Sequence, residues 1–134
     1  MKTILVVDDS AMIREMLQDA LTGEGYAVIL AEDGEEAVRL WKSHEVDLSV
    51  VDIFLPRKGG LQVISEVLKS DKKHKIIAIS GGESFHPETI LELANIFEVA
   101  ATFTKPIDLE RLLGVIRTLF AAEGAAAPQP SRPQ

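Results

Sequence analysis

The chain has 134 residues, 46% of them hydrophobic, which is enough for one domain with its own core. Its formal net charge of −7 argues against a broad basic face that binds nucleic acid or an anionic membrane. The sequence contains no cysteine, which excludes a disulfide framework and a thiolate metal site. No segment has the length of a signal-peptide core or a membrane span, so we expect a cytoplasmic protein that does not contact a membrane. Because of the negative net charge, we also expect no direct contact with nucleic acid.

Short runs rich in β-branched residues alternate with segments of helical spacing. The runs, each about as long as a buried strand, cover residues 4–7, 27–30, 48–51, 76–79 and 101–104. Apolar residues at helical spacing follow each run, in segments 12–21, 37–41, 61–68, 90–97 and 109–119. Asp33, followed three residues later by Glu36, has the form of a capping box and indicates the start of the second helix.

Strands that alternate with helices and are apolar throughout imply a parallel sheet covered by helices on both faces. We therefore predict an α/β, doubly wound (βα)5 flavodoxin-like fold with strand order 2-1-3-4-5. In such folds ligands bind beyond the carboxyl ends of the strands, here beside strands one and three. Residues 122–134 are Ala/Pro-rich and lack a hydrophobic period, so they are predicted to be a flexible tail after a domain of residues 1–121.

Three aspartates follow neighbouring strands of this predicted sheet. Asp8 and Asp9 come after strand one, and Asp52 ends strand three. Like charges about 4–6 Å apart, at an effective dielectric constant near 20, repel by roughly 3–4 kcal/mol per pair. The cluster therefore predicts a bound cation, and carboxylate oxygens on a rigid rim suit Mg²⁺. In the structural alternative the aspartates merely cap a turn, a helix and a strand, although Ser10 already offers a good cap for the first helix.

Two further strand ends carry groups that can bind a phosphoryl group. Strand four ends at Ser80, which Gly81 follows, and strand five runs into Lys105. A hydroxyl and an ammonium can bind phosphoryl oxygens, and a glycine lets a backbone N–H approach closely. Taken singly, ISGG is a turn and TKP is a surface lysine before a loop. These two motifs indicate a function only in combination, because they follow the aspartates in a fixed order along the chain.

The motifs VVDDS, VVDIFLP, ISGG and TKPID, in this order, resemble the receiver domain of two-component response regulators, in particular single-domain receivers of the chemotaxis-regulator type. The resemblance covers residues 2–120. It implies that Asp52 is the phosphoacceptor. It also implies that Asp9 binds Mg²⁺, or Mn²⁺ in its place, directly. Asp8 would act mostly through metal-bound water, and the main-chain carbonyl of Phe54 would be a further ligand.

The same resemblance implies phosphoryl transfer from a phosphohistidine on a sensor histidine kinase or a histidine phosphotransfer protein. Ser80 and the backbone of Gly81 would contact the phosphoryl group, and Lys105 would pair with it. The domain would assist its own phosphorylation and dephosphorylation but would not be a turnover enzyme. A downstream target protein would bind the surface formed by helix four, strand five and helix five.

The chain departs from the family pattern at its switch residue. The family places an aromatic residue three positions before the lysine, where this chain has Thr102. Phe103 lies one position later and should point to the opposite face of the sheet. We therefore expect the loop of residues 81–89 to carry the switch. Phe54 has two interpretations that stay open: it either screens the acyl phosphate from water or has no kinetic effect.

Several other residues are predicted to have ordinary structural roles. His74 lies in the charged stretch SDKKHK and is predicted to sit in a solvated turn. Met12 and Met16 are predicted to face the core or to lie near it, and Trp41 is predicted to pack on the second helix.

Four alternatives to a complete, phosphorylated receiver share some of these sequence features. No output module fits after residue 120, so we predict a stand-alone receiver, although a receiver fragment of a larger regulator would look the same. A degenerate receiver would be a phosphorylation-independent interaction module, and the intact acid pair, Asp52, Ser80 and Lys105 argue against it. A haloacid dehalogenase-type phosphatase has its nucleophile on strand one in a D-x-D arrangement, but this chain has D-D. An FMN carrier needs a phosphate cradle, which VVDDS does not provide.

Overall fold

The computed structural model describes residues 1–55, 57–81 and 99–126. The strands are β1 (Thr3–Val7), β2 (Ala27–Ala31), β3 (Leu48–Asp52), β4 (Lys75–Ser80) and β5 (Ala101–Thr104). The helices among these residues are α1 (Ala11–Gly23), α2 (Gly34–Ser43), α3 (Gly60–Ser70) and a C-terminal helix (Leu109–Ala126). The predicted fourth helix lies outside the described residues.

The strands form one parallel sheet in the order β2-β1-β3-β4-β5, which confirms the predicted doubly wound architecture. Val7 is paired with Ala31 on one side and with Val51 on the other, so the first three strands end almost level. On the other half of the sheet Ser80 is paired with Thr104. The residues that follow these strands therefore meet along one edge of the sheet.

Hydrophobic cores lie on both faces of the sheet. Along β1, Leu5 and Val7 belong to one core cluster, and Ile4 and Val6 belong to the other. The first cluster includes apolar residues of α2 and α3, and the second includes those of α1 and the C-terminal helix. Burying each large apolar side chain contributes roughly 1.5–3 kcal/mol. This two-sided burial explains why the strand segments are apolar throughout rather than alternating.

The local signals at the starts of two helices act as predicted. The Ser10 hydroxyl accepts a hydrogen bond from the Ile13 N–H at 3.3 Å and caps α1. Asp33 Oδ1 accepts one from the Glu36 N–H at 2.8 Å and caps α2. In a standard capping box the Glu36 carboxylate would accept a hydrogen bond from the Asp33 N–H. Here Glu36 Oε1 accepts instead from the N–H of the preceding residue, Glu32, at 2.9 Å.

The C-terminal helix continues to Ala126, past residue 121 where the sequence analysis ended the domain. Glu123 explains the difference, because its carboxylate accepts hydrogen bonds from Lys2 Nζ at 2.9 Å and from Lys75 Nζ at 2.7 Å. These contacts tie the end of the helix to the amino ends of β1 and β4. Residues 127–134 of the predicted tail lie outside the described residues. Within the described ranges, no helix has the length and hydropathy that a membrane crossing requires.

The prediction of a solvated turn at His74 is wrong, because the side chain is only 9% exposed. Its Nε2 lies 2.9 Å from the hydroxyl of Ser49 on β3, and its ring meets Trp41 edge-on with the centroids 5.8 Å apart. The charged neighbours in the sequence concealed this tertiary contact. Burial lowers the pKa of His74 below its ordinary value, the largest of the several influences on it.

The prediction for Met12 is also wrong, since 76% of this residue is exposed. Met16 packs against the core as expected, and Leu17 and Leu21 are the fully buried residues of α1. Met12 belongs to the first turn of α1, which starts beyond the carboxyl end of β1. Beyond the end of β1 there is less of the sheet surface for the Met12 side chain to pack against.

Acidification below neutral pH is expected to destabilise the fold through His74. Its pKa is lower in the folded state than the ordinary value of 6.5, so the unfolded chain takes up the proton first. Stability therefore rises with pH between the two values and is fully retained above about 6.5. Urea unfolding at several pH values between 5 and 8 measures this, with the fluorescence of Trp41, the only tryptophan, as the signal.

The His74→Gln variant should lose that part of the pH dependence, because glutamine does not titrate. His44→Gln is the matched control, since His44 is exposed. If the free energy of unfolding changes with pH equally in the wild-type protein and in His74→Gln between pH 5 and 8, His74 is not the group responsible.

Candidate functional site

The carboxyl edge of the sheet brings together the charged and polar groups that follow its strands. Asp8 follows β1, Asp52 ends β3, Ser80 ends β4, and Lys105 follows β5. The Lys105 N–H donates to the Ser80 carbonyl at 3.0 Å, which extends the pairing of β4 and β5 to the site itself. The predicted meeting of these strand ends is therefore what the fold produces.

Asp8, Asp9 and Asp52 form a compact acidic cluster. Each offers a carboxylate oxygen, and these oxygens all lie within 4.8 Å of one another. Asp8 and Asp52 are only 1% and 2% exposed, whereas Asp9 is exposed to solvent. The cluster thus has a buried floor and an open side, which is the form of a site that an ion can enter.

Backbone and side-chain hydrogen bonds fix Asp8 on several sides. Its Oδ1 accepts from the Ser10 N–H at 2.9 Å, and its own N–H donates to the Ala31 carbonyl at 3.1 Å. Arg14 Nη1 donates to the Asp8 carbonyl at 2.8 Å. Arg14 was not predicted from the sequence, although a basic residue at the fourth position of α1, close to an acidic strand end, was a usable signal.

Lys105 lies between the two buried carboxylates. Its Nζ donates to Asp52 Oδ2 at 3.0 Å and lies 3.1 Å from Asp8 Oδ2. Burial alone would lower the pKa of Lys105, but the two carboxylates raise it above its ordinary value. Burial raises the pKa of Asp52, and the charge of Asp8 adds to this, whereas the Phe54 N–H and Lys105 oppose it. One ammonium thus partly neutralises a cluster of three carboxylates.

Two buried oxygens at this edge have unused hydrogen-bonding capacity. Among the described residues, neither Asp8 Oδ2 nor Ser80 Oγ has a hydrogen-bond partner. The Lys105 ammonium, 3.1 Å from Asp8 Oδ2, compensates the charge of that oxygen, so Ser80 Oγ is the one of the two without compensation among the described residues. A buried polar atom without a partner costs roughly 1–3 kcal/mol. An oxygen-liganded divalent cation fits the acidic cluster, and a phosphoryl oxygen fits the Ser80 hydroxyl.

Phe54 and Gly81 border the acidic cluster. The Phe54 N–H donates to Asp52 Oδ1 at 2.9 Å, and 46% of Phe54 is exposed. A Cβ added to Gly81 would lie 3.9 Å from Phe54 Cδ2, an ordinary contact distance. The described residues therefore do not crowd Gly81, and its predicted backbone contact with a phosphoryl group stays a prediction. The same holds for the predicted metal-ligand role of the Phe54 carbonyl.

Phe103 points away from the position that an aromatic switch would need. It is 3% exposed and belongs to the core between the sheet and the C-terminal helix, where the Arg111 guanidinium lies 4.2 Å from its ring centroid. Thr102 is half-buried and belongs to the alternate side-chain set of β5. The predicted switch loop after Gly81 and the helix-four part of the predicted docking surface lie outside the described residues.

Comparison with known proteins gives a consistent match. Residues 4–117 match the family model of the response regulator receiver domain. The chemotaxis protein CheY of Bacillus subtilis is 35% identical over 116 residues, which cover 84% of this chain and 92% of that protein. The response regulator RR06 of Streptococcus pneumoniae is 32% identical over 120 residues, which cover 90% of this chain. The matched region spans about half of RR06, 55% of its length.

A solved structure gives the same match in three dimensions. It is the CheX–CheY–BeF3–Mg²⁺ complex of Borrelia burgdorferi, with a TM-score of 0.80 and 30% sequence identity. The match covers 89% of each chain. The similarity therefore extends over nearly all of the sheet and its helices.

Replacing Lys105 with methionine is expected to destabilise the ion-free protein, because Asp8 and Asp52 would stay buried without their shared cation. We expect a loss of about 2 kcal/mol in the free energy of unfolding, below the 3–5 kcal/mol of a fully buried pair, because the lysine side chain is 24% exposed. Urea unfolding at pH 7 with a chelator present measures the loss. The same change in an Asp52→Asn background should cost much less, and an equal cost in both backgrounds would contradict the assignment.

Proposed function

Because the chain belongs to the response regulator receiver domain family, we propose that Asp52 accepts a phosphoryl group in a Mg²⁺-dependent reaction and that this changes a protein-binding surface. Receiver domains of this family are phosphoacceptor signalling domains rather than turnover enzymes. One observation carries the proposal for this chain. A buried carboxylate, Asp52, lies within 4.8 Å of two further carboxylates and 3.0 Å from a lysine ammonium.

The residues of the site divide into those for a cation and those for the phosphoryl group. Asp8, Asp9 and Asp52, with the main-chain carbonyl of Phe54, would hold Mg²⁺, or Mn²⁺ in its place. The bound ion would neutralise negative charge on the phosphoryl oxygens. Support comes from the acidic cluster itself and from the similar CheY of Borrelia burgdorferi, whose complex contains Mg²⁺ and BeF3.

The transfer step uses a carboxylate oxygen of Asp52 as the nucleophile. It attacks the phosphorus of a phosphohistidine in line, a P–O bond forms as the P–N bond breaks, and the imidazole leaves. Lys105, now 3.0 Å from Asp52 Oδ2, can then pair with a phosphoryl oxygen. The Ser80 hydroxyl has no hydrogen-bond partner among the described residues, so it is available to donate to another phosphoryl oxygen. Hydrolysis of the acyl phosphate by water restores the carboxylate.

The proposed donor is a sensor histidine kinase or a histidine phosphotransfer protein, and the proposed recipient of the signal is another protein. The CheX complex of the similar CheY supports a protein partner. For this chain the proposed contact surface includes β5 and the C-terminal helix.

Two forms of the protein remain as hypotheses, a stand-alone receiver and a receiver that is part of a longer regulator. The match over 92% of Bacillus subtilis CheY favours the first, and the match over 55% of RR06 fits the second. Immunoblotting of the native protein in its own cells distinguishes them by size.

Incubation with acetyl phosphate and Mg²⁺ is expected to add one phosphoryl group to the wild-type protein. Asp52→Ala should abolish the addition, and Asp8→Ala should slow it by at least tenfold, because it removes part of the proposed ion site. Mass spectrometry of the intact protein measures the modification. Asp19→Asn, a change at an exposed aspartate on α1, is the control and should behave as wild type.

Modification that persists in Asp52→Ala would refute the proposed acceptor. A wild-type protein that takes up no phosphoryl group from acetyl phosphate or a histidine kinase would favour the interaction-module alternative.

Phe54→Asn is expected to speed dephosphorylation about fivefold, the equivalent of roughly 1 kcal/mol in the barrier. The Phe54 ring is half-exposed beside Gly81, so we propose that it limits the approach of water to the acyl phosphate. The decay of phosphorylated protein after removal of the donor measures the rate. Leu61→Asn, which removes an equally exposed apolar side chain on α3, is the control. Equal decay rates for all three proteins would leave Phe54 without a kinetic effect.

A further inference from the structure

The loop of residues 53–59 joins Asp52 to α3 and contains the Phe54 carbonyl, so its position affects the acidic cluster. We call it the β3–α3 loop. At its start the Ile53 N–H donates to the Ile79 carbonyl at 3.0 Å, and at its end the Gly60 N–H donates to the Ile53 carbonyl at 3.2 Å. A Cβ at Gly60 would overlap the Asp52 carbonyl, so α3 starts in direct contact with the end of β3.

Arg57 gives the middle of this loop a conformation that needs external support. Its φ angle is 65°, in the left-handed region that residues with a Cβ rarely adopt. Such residues persist where the surrounding structure holds them, and they cluster at functional sites. Arg57 Nε donates to Asp33 Oδ2 at 3.0 Å, so the support comes from the residue that precedes α2.

Asp33 is well fixed and can therefore act as an anchor. Its Oδ1 accepts from the Glu36 N–H at 2.8 Å, which leaves Oδ2 for Arg57. The hydrogen bond from the Glu36 N–H is the main reason that the pKa of Asp33 is below its ordinary value, and the Arg57 guanidinium lowers this pKa further. Next to this pair, Gly34 packs so closely on the Lys58 carbonyl that a Cβ there would overlap it. Two consecutive residues of the loop thus contact two consecutive residues at the start of α2.

We propose that Arg57 and Asp33 are a positioning pair that fixes the β3–α3 loop and thereby holds the Phe54 carbonyl in place to bind the metal ion. This inference rests on the proposed Mg²⁺-dependent function. The Arg57 side chain is 60% exposed, and ion pairs of that kind contribute little to stability. The pair therefore acts on the geometry of the site more than on the stability of the fold, and the two effects can be measured separately.

The test is the Mg²⁺ dissociation constant, measured by calorimetric titration of the ion-free protein. Asp33→Ser keeps a hydroxyl for the α2 cap but cannot reach Arg57, and Arg57→Gln removes the charge from the other partner. Each change should weaken Mg²⁺ binding about three- to tenfold, less than the roughly 10–100-fold typical of groups that contact a metal ligand directly, because the pair acts through the loop. The double variant should be no weaker than either single variant, and Arg57→Lys should restore most of the affinity.

Two further variants separate the pair from the backbone conformation and from charge in general. Arg57→Gly removes the pair but adopts the left-handed φ without strain, so it should still weaken binding. Arg39→Gln removes an exposed cation of α2 that pairs with Glu36 at 3.7 Å, and it should leave the affinity unchanged. Wild-type affinity in Arg57→Gly would mean that the backbone conformation alone matters and would overturn the proposal.

A second measurement does not depend on the ion. Amide hydrogen exchange of residues 53–55 and 57–59 in the ion-free protein should be faster in Asp33→Ser than in wild type, with the melting temperature little changed. If the wild-type protein binds no Mg²⁺, the proposed function fails, whereas the exchange data still decide whether the pair fixes the loop. If wild type binds Mg²⁺ and the variants bind it equally well, or if affinity falls only in step with melting temperature, the positioning pair is refuted.

Discussion

Two buried carboxylates, Asp8 and Asp52, share the ammonium of Lys105, and the proposed function depends on this imbalance of charge. With Asp9 included, three negative groups face one positive group. Buried like charges repel strongly because little water screens them. This crowding arises because the parallel sheet ends its strands at one edge, and it is the property on which the proposed binding of a divalent cation and the proposed phosphoryl transfer rest.

Packing and hydrogen bonds among the described residues support this crowded edge. Cores pack on both faces of the sheet, so spreading the strand ends to relieve the repulsion would cost apolar burial. Hydrogen bonds from Ser10 and Arg14 fix Asp8, and the Phe54 N–H fixes Asp52. The contact between Arg57 and Asp33 extends this support to the loop after β3. Preorganised ligands of this kind lose little freedom when an ion or phosphoryl group binds.

Features that depend on residues close together in the chain were predicted correctly from the sequence. The strand runs, the caps at Ser10 and Asp33, and the strand order follow from local patterns and from general rules of chain connection. It failed at His74 and Met12, where polar neighbours or helical spacing gave the wrong indication of burial. It also ended the last helix too early, because the partners of Glu123, Lys2 and Lys75, are distant from it in the sequence.

The sequence by itself determined the sheet, the helices that the structure describes, and the set of acidic, hydroxyl and lysine groups at one edge, because hydrophobic period and position after a strand are local properties. Only the tertiary structure decided which side chains meet. The contacts of Lys105 with Asp52, Arg57 with Asp33, and His74 with Ser49 join residues 53, 24 and 25 positions apart. Such pairings depend on distances and angles between packed helices, strands and loops. A pattern of residues that are close in the sequence carries no information about these distances and angles.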